Sequence, residues 1–276
     1  MRFFTALSLA FLLSGCGLID RLQNNVILVA MLVQSPAPPA GGPVSGSPVV
    51  LTQLYLAQKS GDLTSPPSEQ SLTPITGATV ALLDDGVQVA TLAGAPGAPG
   101  YYESTSVTYH AGHTYRFTAT VGSDQYWAEV ANVPAAPALT VPLSSNHLAT
   151  YGSYSGTPQF SNPYPITRTG TDIAFYGVWT VSGTTFDPGA TANCSNLPRT
   201  ANDLLALIFV DDAPYRVATF NVAKATCFPP PSTYPGNYVV GLSAVKRNTA
   251  ASSNLAIYSA ALAGTSDAVL VSVTAP

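Results

Sequence analysis

His110 and His113 stand three residues apart, a spacing at which two imidazoles in a turn can share a metal ion. No cysteine lies near them, so a third ligand would have to be a carboxylate from elsewhere. A turn between two strands is also where polar residues belong. The third histidine, His147, has no such neighbour. Two pairs of adjacent acids, Asp84-Asp85 and Asp211-Asp212, sit beside turn residues. Glycoside hydrolysis needs two acids facing each other across a cleft, whereas neighbours on a hairpin tip usually point apart into water. Calcium held by loop carboxylates and carbonyls suits such acids better, although no EF-hand pattern occurs. Gly152-Ser153-Tyr154-Ser155-Gly156 falls short of a nucleophile elbow, because the central position reserved for Ser is Tyr154. These residues lead us to expect no catalytic group, no metal site, no cofactor and no enzymatic activity.

Aromatic side chains are the best hint of binding. Tyr101-Tyr102, Tyr126-Trp127, Tyr151, Tyr154, Tyr164, Phe175-Tyr176 and Trp179 are the candidates. Rings on a sheet face can stack on sugars or anchor a protein. The same residues favour strands and cores, and Trp127 and Trp179 both fall within strand-like runs.

The elements that would carry these groups are short strands. Val26 to Val33 is apolar throughout and fits a doubly buried strand or a short buried helix; its Val and Ile favour the strand. The Pro-rich run Ser35 to Pro48 can neither form helix nor pair, and reads as a long loop inside one domain. Val49 to Gln58 is a strand, and Lys59 to Pro74 is polar loop. Ala78 to Leu83 and Val87 to Leu92 flank the turn Asp84-Asp85-Gly86, where Gly supplies φ > 0. Tyr101 to Tyr109, Thr114 to Val121 and Gln125 to Val130 follow, and turn signals at roughly ten-residue spacing suggest a sandwich. Ala135 to Pro142 reads as a last strand or an exit, with a domain boundary near Leu143 to His147. Beyond it, Tyr151 to Pro165 is loop-like and Asp172 to Ser182 is a strand. Leu204 to Val210 and Tyr215 to Val222 flank a hairpin at Asp211 to Pro214. Asn237 to Val245, Leu255 to Leu262 and Ala268 to Val273 complete the set. No segment keeps a helical period.

The chain has 276 residues, with 10 Lys plus Arg against 14 Asp plus Glu. That mild acidity, without a basic patch, argues against nucleic acid as a partner. Charged residues are 9% of the chain, against roughly 25% in ordinary soluble domains. The 14 Tyr and 10 Phe exclude a disordered chain, and the composition suits a secreted all-β protein with long polar loops.

The N-terminus supplies a location. Arg2, an apolar run from Phe3 to Leu13, and the small residues Ser14-Gly15 make a secretory signal peptide. The run is too short to span a bilayer, which takes about 20 apolar residues. Leu13-Ser14-Gly15-Cys16 resembles the bacterial lipobox, which implies cleavage before Cys16 and acylation of its sulfur. In lipoproteins with this motif, Asp directly after the Cys marks inner-membrane retention. Gly17 stands there instead, which favours outer-membrane delivery. The implied partner is the membrane, through Cys16, together with an unidentified envelope protein or glycan. With Cys16 taken by lipid, Cys194 and Cys227 remain as an even pair in an oxidising compartment. A disulfide between them is expected, worth roughly 3–4 kcal/mol by the chain-entropy argument.

Ile75 to Val80, then Gly112-His113-Thr114-Tyr115-Arg116-Phe117 with its alternating continuation, then Val133-Pro134-Ala135, resemble an immunoglobulin-like or transthyretin-like sandwich over Ile75 to Pro142. In immunoglobulin-like folds a Tyr hydroxyl bonds back to upstream backbone, and Tyr115 would hold that place. The resemblance carries no activity. The expected organisation is all-β: signal peptide 1–15, lipidated tether 16–25, an Ig-like or transthyretin-like sandwich 26–142, and a second β-rich domain 143–276 with the disulfide. The expected role is non-enzymatic, structural or protein-interacting, at the cell envelope. A carbohydrate- or small-ligand-binding module is the alternative.

Overall fold

Alternation of apolar and polar residues writes most of the early strands, although β1 is apolar on both faces. The computed structural model describes residues 23–65, 67–141, 148–150, 163–197, 212–230, 236–248 and 250–274. Strand β1 (Val26–Gln34) buries Leu28, Ala30 and Leu32 in the first core, and its other face is largely half-buried. The strand favoured over a helix is thus what forms. It runs antiparallel to β2 (Val50–Lys59), whose edge carries the short β3 (Leu72–Pro74). Next come β4 (Thr79–Asp84), β5 (Val87–Gly94), β6 (Tyr101–Ser104), β7 (Tyr115–Val121) and β8 (Asp124–Val130). Their inward rows, such as Val80 and Leu82 on β4 or Tyr115, Phe117 and Ala119 on β7, pack with Leu28, Leu32, Leu54 and Leu56 into one core. The sheet turns its corner at β5, which pairs β4 along most of its length and β6 only through Ala93 and Gly94.

Strand β6 stops at Ser104, short of the expected Tyr109. The Ser104 hydroxyl bonds to Ser106, both at its hydroxyl (3.1 Å) and at its backbone N–H. Such local side-chain bonds compete with a sheet ladder.

The remaining strands are β9 (Leu139–Thr140), β10 (Leu148–Thr150), β11 (Tyr164–Arg168), β12 (Ile173–Val181), β13 (Cys194–Ser195), β14 (Thr219–Val222), β15 (Gly236–Arg247), β16 (Ala250–Ala251) and β17 (Ala260–Thr274). Among the described residues, the large sheet runs β13-β12-β15-β17-β1-β2-β6-β5-β4-β7-β8-β16, and a small sheet runs β14-β11-β9. The fold is all-β and sandwich-like. The small sheet covers a second core made of Tyr164, Ile166, Phe220 and Val222 on one side and Val178, Tyr238, Val240, Leu242 and Val271 on the other.

The far face of β12 and β15 is covered as well. Trp179, Val181, Phe186 and Val239 pack there with Val44 of the Pro-rich loop. Ser45 bridges to Thr185 and exchanges backbone bonds with Thr184 and Phe186 (both 2.8 Å). Gly177 and Gly241 face each other across β12 and β15, and their missing Cβ atoms leave the space taken by the Trp179 ring and Pro36. The loop's prolines cannot join a sheet, but they can pave one.

Further expectations need correction. Lys59 and Leu72–Pro74 are strand and not loop, since Lys59 closes β2 and pairs with Leu72 of β3. Tyr164 and Pro165 lie in β11, not in loop, because Tyr164 and Ile166 are needed as inward residues of the small sheet. Ala213–Tyr215 is a 3-10 turn, and strand β14 begins only at Thr219; Asp211 and the run 204–210 lie outside the described residues. Leu255 to Ile257 is not a strand: Ala256 donates its N–H to the Val26 carbonyl from a turn, and Leu255 and Ala256 are buried there. Strand β17 then runs 15 residues, through Gly264-Thr265-Ser266-Asp267, where the sequence reads as a break.

Strand β17 is the spine. Its start pairs in parallel with β1 (Val29 with Ala260) and its end with β10, while β15 pairs along most of it. Ala261 and Ala263 belong to the first core and Val271 and Val273 to the second. The sheet is therefore continuous between residues before and after the boundary expected near 143–147, itself outside the described residues.

Candidate functional site

The inward row of β4 is Val80, Leu82, Asp84, so a carboxylate ends a line of core residues. The turn after it places Asp85 (φ 46°) and Gly86 (φ 84°) both in the left-handed region, the pattern of a type I′ hairpin. The expectation that neighbouring acids point apart into water does not hold, because both carboxylates reach the His113 imidazole; Asp84 turns inward, with 8% of its side chain exposed, while Asp85 keeps 55%.

Opposite Asp84 lies the 110–113 turn. His110 Nδ1 is 2.7 Å from Asp84 Oδ2, and His113 Nδ1 is 2.7 Å from Asp84 Oδ1. His113 Nδ1 is also 3.1 Å from Asp85 Oδ2. The carboxylate that the sequence left unassigned comes from the preceding hairpin. Burial pushes the Asp84 carboxyl up, but the hydrogen bonds and charge of His110 and His113 outweigh it and hold the carboxyl below its ordinary value. The His113 imidazole is raised, chiefly by its hydrogen bond to Asp84.

Backbone bonds fix the turn. The Tyr115 hydroxyl, buried beneath it, accepts the His110 N–H at 2.7 Å and donates to the Thr108 carbonyl at 3.2 Å. This is the upstream contact expected of Tyr115, and burial pushes its hydroxyl up to about 12. Gly112 N–H donates to the Val133 carbonyl, and Val133 N–H donates to the His113 carbonyl (2.8 and 3.0 Å). Beside the turn lies a shallow open depression of about 460 Å³ between the two halves, where Asp172 and Lys246 bring opposite charges.

No protein-family model matches this chain, and no curated protein matches it.

The aromatic candidates divide. Tyr102, Tyr126, Tyr164, Phe175 and Trp179 are buried, so packing accounts for them. Tyr176 leans on Phe220 in the second core. Trp127 lies on the outer face with the Arg116 guanidinium 4.5 Å above its ring, and Arg116 is held by Glu129 (Nη2–Oε2 2.6 Å). Tyr101 is 43% exposed and its ring lies 4.5 Å from that of its cross-strand partner Tyr55, at 35°. Sequence reasoning missed Tyr55, although it sits on the outward row of β2. Tyr151, Tyr154, His147, the Gly152 to Gly156 stretch and Cys16 lie outside the described residues.

Cys194 and Cys227 are brought together, with sulfurs 1.97 Å and Cα atoms 5.1 Å apart. Cys227 ends the helical turn Lys224–Cys227 at the floor of the second core, and Cys194 lies on the edge strand β13. The contact ties that edge to the core.

Proposed function

We propose that this chain is a non-enzymatic, lipid-anchored protein of the bacterial cell envelope, held through Cys16 and serving a structural or protein-interaction role. The observation that supports it most is where the chain enters the fold. Asn24 donates to the Ser253 carbonyl (2.6 Å), Asn25 accepts from Lys59 N–H (2.7 Å), and β1 begins at Val26. Ten residue steps from Cys16 reach at most about 35 Å, so an acylated Cys16 would hold this end of the body near the lipid surface. The second core lies along β17, away from that end, since β17 runs parallel to β1 and ends in the second core.

The surface offers a place for a protein partner. Among the described residues, β5 meets β6 only at Ala93 and Gly94, which leaves Val87 to Thr91 as an open edge. Val87 and Val89 on it are 67% and 45% exposed. An open edge with apolar side chains is a template for another strand. The test of the anchor is membrane fractionation beside a Cys16→Ala variant. The native chain should sediment with membranes and the variant should not; a native chain found soluble would overturn the proposal.

The Tyr55–Tyr101 pair favours a second reading, a surface module for carbohydrate. Glycan-array binding that is lost in Tyr101→Ala would support it, and an empty array would count against it.

A further inference from the structure

We propose that Asp84, His110 and His113 form a binding site for a divalent transition ion of the zinc class. The inference stands apart from the anchor at Cys16. It begins with the donors. A carboxylate oxygen from Asp84 and a nitrogen from each imidazole all lie within 4.8 Å of one another. Two imidazoles with one carboxylate suit zinc, copper or nickel, whereas calcium and magnesium demand oxygen ligands. Asp85, whose Oδ2 is 3.1 Å from His113 Nδ1, stands close enough to add a fourth donor.

Two of the three donor separations need little adjustment. Zinc bonds of about 2.0–2.2 Å place tetrahedral donors roughly 3.3 Å apart. The present nitrogen–oxygen separations are 2.7 Å, so each imidazole would draw back by about half an ångström. The side chains stand on fixed supports. Asp84 is the last paired residue of β4, opposite Tyr115 on β7. The His110 backbone is held by the Tyr115 hydroxyl, and His113 by Val133. A preorganised ligand set of this kind lowers the cost of closing round an ion. The imidazoles are 49% and 43% exposed while Asp84 is buried. An ion would thus sit with protein on one side and water on the other, an open rather than a sealed site. Its consequence would be to clip the β4–β5 hairpin to the 110–113 turn.

The test is calorimetric titration of zinc chloride into the full chain, purified in detergent, stripped with chelator and kept oxidised so that Cys194 and Cys227 are not ligands. The expected result is one ion per chain with a micromolar dissociation constant and a higher melting temperature with zinc. The variant His110→Gln with His113→Gln retains donors for Asp84 but lacks the imidazoles. It should match the native circular dichroism in chelator and lose saturable binding. Each single variant should weaken binding at least about tenfold, and these are read if the double variant does not fold. No saturable binding by the native chain, or the same affinity in the variants, would overturn the site and leave the cluster as a hydrogen-bonded clasp.

Discussion

At the scale of single residues, one hydroxyl serves two backbone groups of the 105–114 segment. Tyr115 serves the His110 N–H and the Thr108 carbonyl from beneath the turn. Replacing it with Phe keeps the ring and removes both bonds. Urea unfolding of Tyr115→Phe should show a loss of about 1–2 kcal/mol, and an unchanged midpoint would mean the hydroxyl holds nothing. Asp84 teaches how sequence reading succeeds and fails. The pattern Val80-x-Leu82-x-Asp84 puts the acid on the core face at period two, and that signal was present. It lost to the general rule that acids beside a turn point to water, which fails even for Asp85, since that more exposed acid also reaches His113. The pairing of Asp84 with His110 and His113, across 26 and 29 residues, is tertiary and follows only from β4 lying beside β7.

At the scale of elements, the outward face of β12 and β15 is a packing site built by subtraction. Gly177 and Gly241 leave room, Trp179 fills it, and Pro36 and Val44 close it. Trp179→Ala should cost about 3–5 kcal/mol by denaturant titration; a change below about 1 kcal/mol would mean the Pro-rich loop is not packed there. Strand β17 is the element that sequence read least well. Gly264, Thr265, Ser266 and Asp267 look like a break between two strands. In the structure each polar side chain has a use. Ser266 donates to the Gln34 carbonyl (2.6 Å) where β1 ends, Thr265 donates to the Gln34 side chain (2.9 Å), and Asp267 accepts from the backbone of Leu139 and Ala268. A Cβ at Gly264 would meet the Ala244 carbonyl oxygen and Val245. Gly264→Ala should therefore force β15 and β17 apart and lower stability by about 1–3 kcal/mol. Strands with clean alternation, such as β4, β7 and β8, were legible because one face of each meets a single core. Strand β17 was not, because its two ends meet different cores and its middle passes between them.

At the scale of the whole molecule, β17 joins what would otherwise be two separate cores. Trp127 sits on the outer face of the sheet that encloses the first core, and Trp179 on the far face of the strands that enclose the second, so each reports on the unfolding of its own end of the sheet. Trp127→Phe and Trp179→Phe, each leaving one fluorophore, should therefore unfold in urea with the difference between their midpoints explained by the substitutions' own effects on far-ultraviolet dichroism. Two transitions within a single variant would show that the spine does not couple the cores. The Cys194–Cys227 connection should be worth roughly 3–4 kcal/mol, read as the stability lost in the double Ser variant. The first β-strand starts ten residues after Cys16, and the Asp84–His110–His113 cluster lies at the other end of β4, β7 and β8 from the 252–254 turn that meets the incoming chain. If Cys16 is acylated, the cluster and the second core face away from the lipid. The most direct test is the intact mass of the native protein recovered from cells. The account predicts a chain that begins at Cys16 and carries a diacyl or triacyl increment. A chain that keeps residues 1–15, or that is cleaved elsewhere and carries no lipid, would contradict it.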